Sequence, residues 1–284
     1  MSAIRCCLSD TELFDLLQED VPYGDLTVDA LAIGERAGRI TFQARDAMVV
    51  CGIEEAARLL ELAGAEVTRQ AASGQWCESA TPLLSANGPA AALFSAWKVA
   101  QSLMESLSGV SSLAHRIVNL AGSARVACTR KHLPGNKALM VKAVQAGGAA
   151  MHRYGLSDSI MVTAEHRTFL HADELSRYLS ELQQQQPEKK IVVEVDEVEA
   201  ALALVRQGCQ VIQLEKLSPQ QLAQVVAAVD SDQPPAWRPG IAAAGGVNAE
   251  NVADYVAAGA ELVVTSAPYF AKPRDVQVRF YPMS

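Results

Sequence analysis

Apolar positions follow two rhythms along these 284 residues, and the change comes near Val110. Before it, the pattern is mixed. Ser9, Asp10, Thr11 and Glu12 supply capping-type side chains for a short helix whose apolar face is Leu13, Phe14, Leu16 and Leu17. Residues 39–45 alternate, with Ile40, Phe42 and Ala44 set against Thr41 and Gln43, as in a half-buried strand, and 48–52 continue as an apolar strand. A helix over 53–62 is stopped by Gly64, and a long helix of small and apolar residues over 89–107 is expected to end at Ser108-Gly109.

Beyond Val110, short apolar runs recur at 125–128, 159–162, 190–195, 210–214, 240–243 and 262–264. Amphipathic stretches lie between them, at 138–146, 172–184, 198–206, 219–229 and 249–258. Strand, helix, strand at this spacing means βαβ units and a parallel sheet. Ser218-Pro219 places proline at a first helical position, and Asp196 to Glu199 has capping-box spacing. The fold class is α/β: six such units predict a partial, six-stranded parallel α/β barrel, with an open two-sided sheet as the alternative. The expected domains are an N-terminal α/β unit over 1–109 and a barrel over 110–269. In the last segment Val276, Val278 and Phe280 alternate with polar residues, so 270–284 is expected to return as a strand to the first domain.

Composition narrows the function classes. A net charge of -8 and a pI near 5.2 argue against a general nucleic-acid or acidic-membrane binder, whose affinity comes from clustered Lys and Arg. No apolar run approaches the ~18 residues that span a bilayer. The opening MSAIRCCLSD has no signal-peptide core, so a cytoplasmic location is expected. Six cysteines without CxxC spacing are expected to be plain reduced thiols.

In a parallel α/β fold, functional residues belong at the carboxyl ends of strands. Here every strand end is polar or glycine-rich: Arg130 and Lys131; Thr163, Glu165 and His166; Glu194 and Asp196; Glu215 and Lys216; Gly245 and Gly246; Ser266 and Ala267. The segment TRKHLPG at 129–135, followed by His152 and Arg153, is an anion grip, because arginine offers a planar fork and lysine a mobile point charge. Plainer readings stand beside these. His132 and His166 can serve only to bond a loop carbonyl, Glu215 can pair with Lys131 or Lys142, and the glycine pair can be a tight turn. Trp97 can be core packing, and Asp20 and Asp25 fit loop ties or helix caps.

Six segments carry a resemblance: EDVPYGDLT at 19–27, SLSGV at 106–110, TRKHLPG, GGAAMHRYGLSD at 147–158, EVDEVEAA at 194–201 and AAAGGVNAENV at 242–252. Together they resemble the type II phosphoribosyltransferases, the family of quinolinate phosphoribosyltransferase (nicotinate-nucleotide pyrophosphorylase). The resemblance implies an N-terminal α/β sandwich joined to a partial α/β barrel, in a homodimer whose active site is shared. It implies a transferase that moves 5-phosphoribosyl from phosphoribosyl pyrophosphate to a small anionic acceptor, with Mg²⁺ on the pyrophosphate. By resemblance, Arg130, Lys131, His132, His152, Arg153 and His166 line the acceptor and pyrophosphate region, with Lys98 reaching it across the dimer. Lys131, Glu194 and Glu215 carry catalysis, Glu194 and Glu215 also holding the metal. Backbone around Gly245, Gly246, Ser266 and Ala267 cradles the 5-phosphate.

The departures are as specific as the matches. Trp97-Lys98 stands where the family has an arginine, His132 replaces a threonine, Lys137 an arginine and Ser266 a glycine. Thr163-Ala164-Glu165-His166 replaces Lys-Asp-Asn-His, Val192 replaces an acidic residue, and Glu215-Lys216 replaces Asp-Asn. These changes, with Ala96 to Val99, are similar to the divergent ModD branch associated with molybdenum transport. The expectation is a phosphoribosyltransferase of altered acceptor specificity. True quinolinate activity in NAD biosynthesis and a non-catalytic phosphate or oxyanion binder are the alternatives.

Overall fold

In the computed structural model, which describes residues 4–171, 174–232 and 238–283, helix α1 (Asp10–Asp20) begins with the capping box read from its sequence. Ser9 Oγ accepts the Glu12 N–H at 3.3 Å, and the Glu12 carboxylate accepts the Ser9 N–H at 2.8 Å. Asp25 caps α2 (Leu26–Ala30) by accepting the N–H groups of Thr27 and Val28. Strand β1 (Ala37–Ala44) buries Ile40, Phe42 and Ala44, as its alternation requires. β2 (Met48–Val49), α3 (Ile53–Leu62), β3 (Glu66–Arg69), β4 (Trp76–Cys77) and β5 (Pro82–Pro89) follow. β5 escapes a propensity reading because it contains Asn87, Gly88 and Pro89; burial of Leu83, Leu84 and Ala86 between β1 and β3 overrides the local preference.

The long helix α4 (Ala90–Ala121) does not stop at Ser108-Gly109 as expected. Gly109 serves close approach instead, since a Cβ there would strike the Lys272 carbonyl. Its neighbours satisfy the short β2 region: Ser108 Oγ accepts from the Cys51 N–H and Ser112 Oγ from the Val49 N–H, each at 3.0 Å. The SLSGV segment, continued to Ser112, is therefore a helix face that docks backbone, with buried Ser108 and Ser112 replacing missing ladder partners.

The remaining elements are β6 (Arg125–Cys128), α5 (Lys137–Ala146), β7 (Ala150–Met151), β8 (Ile160–Val162), α6 (Ala164–Arg167), α7 (Glu174–Gln185), β9 (Ile191–Val195), α8 (Val198–Arg206), β10 (Val211–Glu215), α9 (Pro219–Asp232), β11 (Gly240–Ala244), α10 (Val252–Ala257), β12 (Leu262–Thr265) and β13 (Val276–Pro282). Residues 172 and 173 of the helix expected at 172–184, and Ser284, lie outside the described residues. Strands β6 to β12 form one parallel half-barrel sheet in the order β7-β6-β12-β11-β10-β9-β8. It has seven strands rather than six: β7 contributes only two residues, too few for a periodicity to register. Ser218 caps α9 through Gln221 as expected, whereas Asp196 does not cap α8, whose N-cap is Glu197 without a side-chain bond.

Strand β13 returns antiparallel to β1 and pairs Val276 with Ala44, Val278 with Phe42 and Phe280 with Ile40. Two compact units result: Met1–His115 with His132–Gly148 and Pro268–Ser284, and Arg116–Lys131 with Ala149–Ala267. Helix α5 packs in the first unit, where Lys142 Nζ reaches Glu54 at 2.8 Å and Glu55 at 2.5 Å on α3. All six cysteines are free thiols, and no described helix is long and apolar enough to cross a membrane.

Candidate active site

A cavity of about 620 Å³ opens at the carboxyl ends of the half-barrel strands, wholly within the second unit. β6 delivers Arg130 and Lys131 to it, and β7 delivers His152 and Arg153. Thr163 and Glu165 follow β8, Glu194 comes from β9, and Gln213, Glu215 and Lys216 come from β10. The turns after β11 and β12 close the ring with Gly245 to Asn248 and with Ser266 and Ala267. Alternation explains the carboxylates: Ile191, Val193 and Val195 of β9 are buried on one face, which leaves Val192 and Glu194 on the other.

Charge in the cavity is divided. Among the described residues, no carboxylate lies within 4.0 Å of the Arg130, Lys131 or Arg153 cations. Burial, then the Arg130 charge, pulls the Arg153 pKa down, and burial with the Arg153 charge pulls His152 below its usual value. His152 is accordingly a neutral imidazole at neutral pH. Opposite the cations, Glu194 has its pKa raised, first by burial and then by repulsion from Glu215. Gln213, its Cα partner across the β9–β10 ladder and only 3% exposed, donates from Nε2 to Glu194 Oε2 at 2.6 Å. The Gln213 Oε1 is buried without a partner.

The two glycines are structural requirements of this rim. Gly245 has φ +82°, and a Cβ on it would lie 2.6 Å from Lys216 Cγ and 2.8 Å from Glu215 Oε1. Gly246 has φ +87° with open space where its side chain would be. Among the described residues, no protein acceptor takes the N–H of Gly246 or Ser266. The N–H of Ala267, by contrast, is spent on Thr265 Oγ1 at 3.0 Å. A phosphate would therefore find its backbone donors at Gly246 and Ser266, and Ala267 contributes shape to the cradle.

Of the expected residues, His166 does not line this cavity, and Lys98 and His132 belong to the first unit. Lys98 stands in the first unit, 4.0 Å above the Trp97 ring and bonded to Gln101 at 2.9 Å. Trp97 packs edge-on against Phe280, in agreement with its core reading. His132 also belongs to the first unit and bonds the Leu133 carbonyl at 3.1 Å, as its plainer reading had it. His166 follows β8 but turns its Nδ1 to the Thr163 N–H at 3.1 Å, so it caps α6. Glu215 makes no ion pair with Lys131 or Lys142; Lys142 is occupied by Glu54 and Glu55. Sequence reading passed over Gln213, although a lone amide inside the run Val211, Ile212, Gln213, Leu214 was the visible signal. It also passed over Arg167, whose guanidinium donates to the Glu194 carbonyl at 3.1 Å and fixes the end of β9.

Among the described residues, no group of three or more His, Cys, Asp or Glu side chains is arranged to hold a metal. Glu194 and Glu215 fit a looser role. Mg²⁺ commonly takes one or two carboxylates and completes its shell with water and substrate phosphate. The mutual repulsion that raises the Glu194 pKa is the imbalance that a cation there would relieve.

Comparison with known proteins agrees with this fold. The sequence matches the quinolinate phosphoribosyl transferase N-terminal domain over residues 25–108 and its C-terminal domain over 110–279. ModD of Rhodobacter capsulatus, a pyrophosphorylase by designation, is 48% identical over 87% of this chain and 95% of that protein. ModD of Escherichia coli O6:H1 is 36% identical over 97% of this chain and 98% of its own length. The solved nicotinate-nucleotide pyrophosphorylase of Francisella tularensis superposes with a TM-score of 0.87 over 99% of this chain and 100% of that one, at 17% identity, a likeness of fold. With both domain signatures spanning most of its length, the chain belongs to the quinolinate phosphoribosyl transferase family.

Proposed function

We propose that the chain is a Mg²⁺-dependent phosphoribosyltransferase that transfers 5-phosphoribosyl from phosphoribosyl pyrophosphate to a small anionic acceptor other than quinolinate, releasing pyrophosphate, and that it works as a homodimer. One observation carries the reading. Three cations with no described carboxylate within 4.0 Å, Arg130, Lys131 and Arg153, share a cavity with the carboxylates Glu194 and Glu215, in a chain of this family. Phosphate and pyrophosphate require the first set, and a ribose ring that gains positive charge requires the second.

In this reading the C1–O bond to pyrophosphate breaks, with its electron pair leaving on oxygen, as a lone pair of the acceptor forms the new bond to C1. Arg130 and Lys131 neutralise the departing pyrophosphate. Free N–H groups at Gly246 and Ser266 hold the 5-phosphate in place, which fixes C1. Glu194, steadied by Gln213, accepts from a ribose hydroxyl, or with Glu215 holds Mg²⁺, which when bound adds positive charge on the pyrophosphate. Arg153 orients the acceptor's anionic group, and neutral His152 offers it a hydrogen bond. An acceptor unlike quinolinate is supported by Thr163 at the end of β8, which lines the cavity where the family carries a lysine.

Incubation with phosphoribosyl pyrophosphate, Mg²⁺ and a panel of aromatic acids tests the reading. Pyrophosphate should appear with at least one acid and not with quinolinate. Release with quinolinate would return the chain to NAD biosynthesis. If no acid supports release and the donor fails to bind, the chain is not a transferase. The ModD likeness extends the proposal to a role connected with molybdenum transport, checked by whether deletion of the gene alters molybdate-limited growth.

A further inference from the structure

A second cavity, of about 630 Å³, adjoins the first within the same unit. Its chemistry is the reverse of its neighbour's. It is lined by the edge strand β8 and by helix α7, chiefly through Ile160, Val162, Leu175, Leu179 and Leu182. Strands of a parallel sheet are ordinarily covered on both faces, yet all three residues of β8 are only half-buried. Leucines at 175 and 182 on α7 are half-buried as well, so apolar surface on both walls lacks full cover.

Arg153 and Met161 line both cavities. The guanidinium without a carboxylate within 4.0 Å thus stands where a polar chamber meets an apolar one. Three further residues with polar side-chain groups border the apolar chamber, Ser159, His166 and Tyr178. Because His166 Nδ1 accepts from the Thr163 N–H, the ring proton sits on Nε2, a donor for a ligand. An apolar hollow with a few convergent polar groups is the usual form of a small-molecule site.

We infer that this hollow receives the body of the acceptor, and that the acceptor is an aromatic acid with a sizeable apolar substituent. Its carboxylate pairs with Arg153 at the seam, and the substituent lies between β8 and α7 against Ile160, Val162 and Leu182. This rests on the phosphoribosyltransferase reading and adds a substrate class to it. The placement also gives His166 a contact with the acceptor, although His166 does not reach the polar cavity.

Calorimetry with benzoate and 4-butylbenzoate as probes, on the full chain, tests the inference. 4-Butylbenzoate should bind about tenfold or more tightly than benzoate, since each buried methylene favours burial. Leu182→Gln and Leu175→Gln, two half-buried helix positions that tolerate an amide of similar size, should each reduce that preference to near unity. Arg153→Gln should weaken both probes alike. Equal affinity of the two probes for the unaltered chain, no binding of either, or a preference that survives both glutamine variants would overturn the inference. Binding of phosphoribosyl pyrophosphate, measured on the same samples, reports separately on the transferase reading, because neither leucine lines the polar cavity.

Discussion

Gln213 and Glu194 face each other across neighbouring parallel strands, and the amide Nε2 donates to the carboxylate at 2.6 Å while the amide Oε1 is buried without a partner. The hydrogen bond lowers a Glu194 pKa that burial and Glu215 push up. Gln213→Met removes the donor together with the orphaned acceptor. The Glu194 pKa should then rise further, so the acidic limb of Mg²⁺-dependent phosphoribosyl pyrophosphate binding moves to higher pH. Thermal stability should increase at the same time, because a buried unsatisfied oxygen is lost. An unmoved limb would show that Gln213 does not tune Glu194.

Glu194 should itself cost stability. A carboxyl whose folded pKa is raised lends stability that is full below its unfolded pKa and lost as pH rises through the folded value. At neutral pH, then, the ionised group works against folding. Glu194→Gln should raise the melting temperature at neutral pH, with the gain shrinking as pH falls, and should abolish pyrophosphate release. Melting curves across a pH series check the sign; a destabilised variant would contradict it.

The rim glycine admits a sharper test. Gly245→Ala places a side chain at φ +82° and against Lys216 and Glu215. Left-handed backbone alone costs about 1–2 kcal/mol for an L residue. Displacing Glu215 and the Gly246 N–H should weaken phosphoribosyl pyrophosphate by about tenfold or more, the equivalent of at least ~1.4 kcal/mol. Gly246→Ala carries the same φ penalty but meets open space. Its effect on binding should be the smaller of the two, and the reverse order would remove Glu215 from the site.

In the first unit, Lys142 is 4% exposed and sits between Glu54 and Glu55. Burial alone would raise the Glu54 pKa, but the hydrogen bonds from Lys142 and Ser73 outweigh it and hold the group low. Burial likewise works against the Lys142 cation, and the two glutamates outweigh it, leaving that pKa raised. Glu54 therefore contributes stability that is lost as pH falls through its folded value, and Lys142 contributes stability lost as pH rises through its own. Lys142→Met leaves two buried carboxylates unpaired and should cost about 3–5 kcal/mol in chemical denaturation. A loss under about 1 kcal/mol, the range of exposed ion pairs, would contradict the buried reading.

Much of this was legible in the sequence, for identifiable reasons. The βαβ rhythm gave the parallel sheet because strands buried on both faces read as apolar runs; polar strand ends marked Arg130, Lys131 and Glu194, and the motif with His152 marked Arg153. Two-residue β7 and the Pro- and Gly-bearing β5 were illegible, since neither shows a period: pairing with β6 makes the first a strand and tertiary burial the second. Which way His132 and Lys98 turn was not legible, because membership in a motif says nothing of side-chain direction. His132 bonds the next carbonyl and Lys98 lies over Trp97. Gln213 was missed because an amide in an apolar run announces a cavity only once the opposing strand is known.

The most direct test of the phosphoribosyl-transfer site is calorimetric titration of the intact chain with phosphoribosyl pyrophosphate in the presence of Mg²⁺, repeated with Lys131→Met. One site per chain should saturate, and loss of a charge-assisted contact worth about 1.5–3 kcal/mol should weaken it by roughly tenfold to a hundredfold. Absence of binding to the unaltered chain, or equal affinity for the variant, would contradict the assignment of this cavity to phosphoribosyl transfer.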